Sequence, residues 1–357
     1  MFDLDRSPET VAVSELARAL ANDLLAPASD TADRSGLVPP EVLLALVKTG
    51  LVAPIDEEFG GDGVPTVAAH LAAFEALGHG DPGIATASAL SGAAALVLGR
   101  LGSNALKEEW LRRLIADPRV MALALFEGFG RGPSELEIDF RNDVVCGHKA
   151  AVSGAAKATW FLVVGASSLA IVRADDRGVT VKPSKQLGAD AAAFCDVTFD
   201  KAKSVTTISV DRESLMFACS HVRLLLAAIT LGGAQRAIEY AASYANERIA
   251  FGKPISTFQG VSFLLAEAAL KIGAARAGFI DLASQIDAGD STALEARTTQ
   301  AVNYAANVAM VSTRDSIQVL GGHGFIKDHP VERWYRAAAT LAAIDHDPLT
   351  SSFEPAL

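Results

Sequence analysis

Residues 318–345 read QVLGGHGFIKDHPVERWYRAAATLAAID. Two helices meet inside this stretch. Gln318, Val319 and Leu320 close the first, and Gly321, Gly322, His323 and Gly324 follow. Glycine tolerates positive φ and lets a backbone or a ligand approach closely, so the run predicts a helix end with an open backbone surface. A second helix is expected after Asp328-His329. Pro330 lies in its first turn, and Glu332 sets negative charge against the N-terminal dipole. That helix carries Trp334, Tyr335 and Arg336 and ends near Asp345, so it delivers a carboxylate at its far end. Taken alone, the stretch also reads as an ordinary helix–helix corner.

Upstream, residues 211–345 are helical in pattern. The run 214–248 has no proline and is compatible with a long buried helix despite Gly232-Gly233. Gly252 and Pro254 end it, and residues 258–286 and 293–320 form the next two helices. Between about Val120 and Val205 the character changes. MALALF, DVVCGHKAAVSG, TWFLVVGA, LAIVRA, GVTVKPS and AFCDVTFD are short, β-branched and separated by Gly, Asp or Ser, which predicts a small antiparallel sheet. Residues 7 to about 118 return to helical spacing. Pro39-Pro40 opens one helix, Val67 begins another, 85–101 is apolar on nearly all sides, and Asn104 is read as the cap of ALKEEWLRRLI. The fold class is therefore α+β in three parts: a helical domain over 1–118, a β-domain over 119–206 and a helical bundle over 207–357.

Composition limits the function. The chain has 357 residues, half of them hydrophobic, and a net charge of −11. An acidic balance argues against nucleic acid or an anionic membrane surface as partner. Cys146, Cys195 and Cys219 are widely spaced and odd in number, which suggests neither a disulfide framework nor a zinc site, and no metal is expected. The acidic start, MFDLDRSPET, lacks the basic and apolar regions of a signal peptide. The apolar runs 91–101 and 222–234 are short for a membrane span. A reducing cytoplasm is the expected location.

A second stretch, Arg248 to Gln259 (RIAFGKPISTFQ), makes the first one specific. Together they resemble the acyl-CoA dehydrogenase family. There an R-x-x-F-G segment followed by Gln holds FAD across a subunit boundary, and Q-x-x-G-G-x-G followed by P-x-E-R-x-x-R completes the flavin pocket. Here these are Arg248, Phe251, Gly252 and Gln259, then Gln318, Gly321, Gly322, Gly324, Pro330, Glu332, Arg333 and Arg336. The N-terminal order, with Glu57, Gly60, Gly61 and Gly63 followed by Glu75 to Gly78, is similar too. The resemblance implies an N-terminal helical domain, a middle β-domain and a C-terminal four-helix bundle, with FAD as cofactor and an acyl-CoA substrate. An electron-transfer flavoprotein is the family's usual electron acceptor.

The reaction it implies is α,β-dehydrogenation of a CoA thioester. A carboxylate takes the α proton and the β hydrogen leaves as hydride. The family's usual base position falls on Asp345, followed by His346 and Asp347 instead of Gly-Thr, and a second known base position falls on Val222, which cannot act. Asp is shorter than Glu by about one C–C bond, roughly 1.5 Å. Arg223 matches an Arg that steers substrate, and an Arg inside an apolar run requires a partner. His221, beside it, is a candidate substrate contact. The β-domain departs from the family pattern. Phe126 replaces a flavin-facing Thr in the stretch 126–132, and the later Trp element reads Ala151-Val152-Ser153-Gly154, where Ser153 keeps a hydroxyl. The retained segments serve a neighbouring subunit's FAD and the degraded ones a subunit's own. That split resembles one partner of an α2β2 assembly of unlike subunits, as in actinobacterial enzymes of sterol side-chain degradation. A scaffold subunit without a base and a homotetramer using Asp345 are the alternatives.

Overall fold

The structure is a computed structural model that describes residues 7–128 and 132–345. Six helices come first: α1 Pro8–Leu20, α2 Ala26–Ser35, α3 Pro40–Val47, α4 Val67–Gly80, α5 Pro82–Leu101 and α6 Asn104–Ala116. Side-chain caps set several starts. Ser7 accepts from Thr10 N, Thr66 from Ala69 N and Asp81 from Ile84 N, the last with Pro82 at the first helical position. The cap of α6 is Ser103, one residue before the expected Asn104, because its hydroxyl reaches Leu106 N while Asn104 is already helical.

Seven strands follow: β1 Met121–Ala124, β2 Asp139–Arg141, β3 Val144–Ser153, β4 Trp160–Val164, β5 Ser168–Arg173, β6 Val179–Pro183 and β7 Phe194–Ser209. The order is β1-β4-β5-β7-β3-β2, with β6 also on β7. Pairing is antiparallel except between β1 and β4, which run parallel, so the expected antiparallel sheet is a mixed one. Strand β7 spans the sheet. Its first half lies between β3 and β6, and its second half pairs with β5. Period-two alternation splits the side chains between two cores. Met121, Leu123 and Leu162 join the main core, whereas Ala122, Ala124 and Phe161 form a separate one with Phe199.

The main core runs from Ala17 to Ile344, so the first and last helices share a single interior. The C-terminal bundle is α7 Arg212–Glu247, α8 Gln259–Asp287, α9 Leu294–Leu320 and α10 Val331–Asp345, the four helices anticipated. Gly232 lies where α4 crosses α7. A Cβ there would come within 2.0 Å of Glu75 O, and one at Gly78 within 2.3 Å of Ile229 O, so two glycines let the helix backbones touch. Both α5 and α7 are long and apolar enough to cross a membrane. Most of each is buried inside the chain, as core helices are: 72% and 94% of their most apolar windows.

Candidate active site

Helix α7 carries two of the expected site residues on opposite faces. Two positions along an α-helix turn the side chain by about 200°. Arg223 accordingly faces α9 and α10, while His221 faces α4. Arg223 donates from Nε to Asp345 Oδ2 at 2.7 Å and from Nη2 to Thr299 Oγ1 at 3.0 Å. Both charged residues are buried, with side chains 2% and 6% exposed. The partner expected for Arg223 is therefore Asp345, 122 positions away. Arg223 Nη1 is buried without an acceptor among the described residues. The space beside the pair is only about 20 Å³, lined by Leu226, Thr230, Val302 and Leu341. His346 and Asp347 lie outside the described residues.

On the other face, His221 Nε2 lies 3.0 Å from His70 Nδ1, and His70 Nε2 lies 2.9 Å from Leu51 O. The rings pack edge to face, with His70 also against Phe74. Burial pushes His70 down to about 4 and His221 well below its ordinary value, so both are neutral. His70 carries no motif, and its only signal in the sequence is a polar residue in the apolar run VAAHLAAFEAL. His221 also lines a cavity of about 420 Å³ with Leu96, Arg100, Phe217 and Asp287.

The proposed flavin segments lie at the surface. Helix α7 ends at Glu247. A hairpin of β8 Ile249–Ala250 and β9 Lys253–Pro254 then presents Phe251 at its tip, 95% exposed and at φ 53°. Arg248, Gln259, Gln318, Gly321 and Gly322 are exposed as well. Gly321 takes φ 59°, and a Cβ on either it or Gly322 would meet nothing within 4 Å. Tyr244 and His323 hydrogen-bond at 2.8 Å, as do Tyr240 and His329, tying this turn to α7. A large ring in solvent and a bare glycine backbone fit a dinucleotide held against an adjoining chain.

The rest of the expected flavin pocket is occupied by internal contacts. Arg336 binds Glu332, Asp33 and Asp190, and Arg333 binds Ser29 and Asp30, so these side chains fasten α10 to α2. Ser153 donates its hydroxyl proton to Ala192 O at 2.6 Å, which leaves it only as an acceptor. Phe126 is buried in the main core. Glu127 pairs with a fully buried Lys149 at 2.8 Å, and burial lowers that lysine to about 8. Residues 129–131 lie outside the described residues.

Comparison with known proteins agrees with this architecture. The sequence profile of the acyl-CoA dehydrogenase N-terminal domain matches residues 7–117, and that of the C-terminal domain matches 213–345. A probable acyl-CoA dehydrogenase, fadE25 of Mycobacterium tuberculosis, is 31% identical over 94% of this chain and 92% of its own. An acryloyl-CoA reductase (NADH) of Anaerotignum propionicum is 29% identical over 94% and 90%. Among solved structures, butyryl-CoA dehydrogenase from Megasphaera elsdenii superposes with a TM-score of 0.83 at 23% identity, covering 96% of both chains. From the two profiles, the relatives and the shared fold, the chain belongs to the acyl-CoA dehydrogenase family.

Proposed function

We propose that this chain catalyses α,β-dehydrogenation of an acyl-CoA thioester as one of two unlike subunits, with its exposed clamp on FAD at the contact between chains. When bound, FAD supplies the acceptor for the β hydrogen and its electron pair. The chain's own part is to hold the thioester and take the α proton. One observation carries the reading: Asp345 is buried at the end of α10, 2.7 Å from Arg223. As the α proton reaches Asp345, its negative charge passes to the thioester oxygen. Arg223 Nη1, which has no acceptor among the described residues, is the donor at hand for that developing charge.

Two observations favour unlike subunits. The clamp of Arg248, Phe251, Gln259, Gln318, Gly321 and Gly322 is solvent-facing, whereas the chain's own flavin wall is filled by Phe126 and by a Ser153 hydroxyl already engaged. Three free cysteines suit a reducing cytoplasm. Electrons leave to an electron-transfer flavoprotein.

Co-expression with a neighbouring dehydrogenase chain, followed by flavin counting, tests the assembly. One FAD per two chains, appearing only with the partner, is expected, and one per chain in the protein purified alone would support the self-sufficient homotetramer instead. The tightness of the space beside Asp345 favours a second reading, a scaffold subunit with no base. Asp345→Asn separates the two when turnover is compared per folded assembly, since it leaves the buried Arg223 without its carboxylate: turnover falls about 10²- to 10⁴-fold for a base and stays unchanged for a scaffold.

A further inference from the structure

We propose that His221 is the hydrogen-bond acceptor for an O–H or N–H group of the CoA ester, and that His70 positions it by fixing its tautomer. The proposal rests on the acyl-CoA reading above. A carbonyl oxygen only accepts, so the proton in the His70–Leu51 contact lies on His70 Nε2. A neutral His70 then carries a lone pair on Nδ1. The 3.0 Å contact to His221 therefore takes its proton from His221 Nε2. His221 is neutral as well, because burial, His70 and the Arg100 cation all oppose its charging. Its Nδ1 is left as a lone pair, and no described group donates to it.

The cavity gives that lone pair a purpose. His221 lines it among apolar walls from Leu96, Phe217 and Ile286. The charged groups around it are otherwise engaged or peripheral. Asp287 accepts backbone N–H groups from Val67 and Ala68, Arg100 lies over the Phe217 ring at 3.8 Å, and Asp56 is exposed. A cavity of this size, with apolar walls and a few polar groups, is the usual form of a small-molecule site. A neutral acceptor selects a donor and does not attract an anion. Arg223 faces away from this cavity, so the contact is separate from the proposed base.

The donor has two sources, a pantetheine amide or a hydroxyl on the acyl chain. Calorimetric titration of the holo-assembly with free CoA, a saturated acyl-CoA and a hydroxyacyl-CoA of equal length distinguishes them. In His221→Phe, affinity for at least one probe falls by about fivefold to tenfold, the size of one lost hydrogen bond. A loss shared with free CoA assigns the amide, and a loss confined to the hydroxyacyl ester assigns the hydroxyl. His221→Asn, which keeps an oxygen near the Nδ1 position, recovers most of the loss. His70→Phe does not touch the cavity, yet it weakens the same probe by a smaller factor, because His221 is then free to carry its proton on Nδ1. In turnover KM rises while kcat holds, which a packing defect would not produce selectively. Unchanged affinity for all three probes in His221→Phe, or in His70→Phe should the first not fold, overturns the proposal. A wild type that binds none of the CoA compounds overturns the acyl-CoA reading and takes this proposal with it.

Discussion

On one face of α7, Arg223 and Asp345 meet as full charges; on the other, His221 and His70 meet with no charge at all. Both pairs are buried, both contacts are about a hydrogen bond long, and both join residues more than a hundred positions apart. The difference lies in how each meets the desolvation penalty. The ion pair compensates it by attraction, which works only while both partners are present. The imidazoles avoid it by remaining neutral and chaining their protons towards Leu51 O. The first arrangement is sensitive to removal of one member, and the second to acid.

Removing one member of the ion pair is the strongest way to break this contrast. Arg223→Met removes the cation beside a buried carboxylate and is expected to destabilise the protein by about 3–5 kcal/mol in denaturant unfolding. Arg223→Met with Asp345→Leu recovers much of that loss, because no charge is then left buried. A double variant as unstable as the single one would mean that the ion pair itself holds α10 in place.

Acid is the next largest perturbation. The unfolded chain binds a proton at His70 near its ordinary value of 6.5, whereas the folded chain resists until about 4. The folded value is depressed, so above 6.5 this group adds no pH dependence, and stability falls as pH drops from 6.5 towards 4. From His70 the loss is about 3 kcal/mol, with His221 adding in the same direction. Asp81 opposes the trend, since burial raises it to about 6 and it favours the folded state at lower pH. Unfolding curves of His70→Phe should be visibly flatter across that interval. An unaltered slope would place the rings in contact with water.

Gly232→Val tests the scaffold that sets the two faces apart. The added side chain meets Glu75 O, so overpacking is expected to destabilise the protein by about 1–3 kcal/mol. Phe251→Ala should change stability least, by less than about 0.5 kcal/mol, because its ring is in solvent. Its effect belongs in flavin retention instead.

Local chemistry made much of the fold legible. The short segments between Gly, Asp and Ser marked the strand region, and Pro82 and Asp81 mark the start of α5 as capping rules require. The glycine run at 321–324 ends α9 as read. What stayed hidden depends on non-local contact. The parallel pairing of β1 with β4 depends on strand register across the sheet, and β2 is only three residues long. An Arg in an apolar helix announced that it needed a partner, but not that the partner would be Asp345. Nothing in the sequence joined His70 to His221, because a neutral histidine in a helix resembles any other half-polar residue. Arg333 and Arg336 matched a flavin motif, yet their guanidinium groups face acids on α2 and its surroundings, a choice that charge pairing in the folded chain makes.

The proposed function depends above all on the exposed clamp holding FAD where chains meet. The direct measurement is flavin absorbance per chain in the purified assembly, with its unlike partner present, for wild type and for Gly322→Leu. The glycine faces open space in the isolated chain, so the variant folds and melts as wild type does. A yellow wild-type assembly and a variant that loses most of its flavin are expected. A colourless wild type, or a variant that retains its full flavin content, would contradict it.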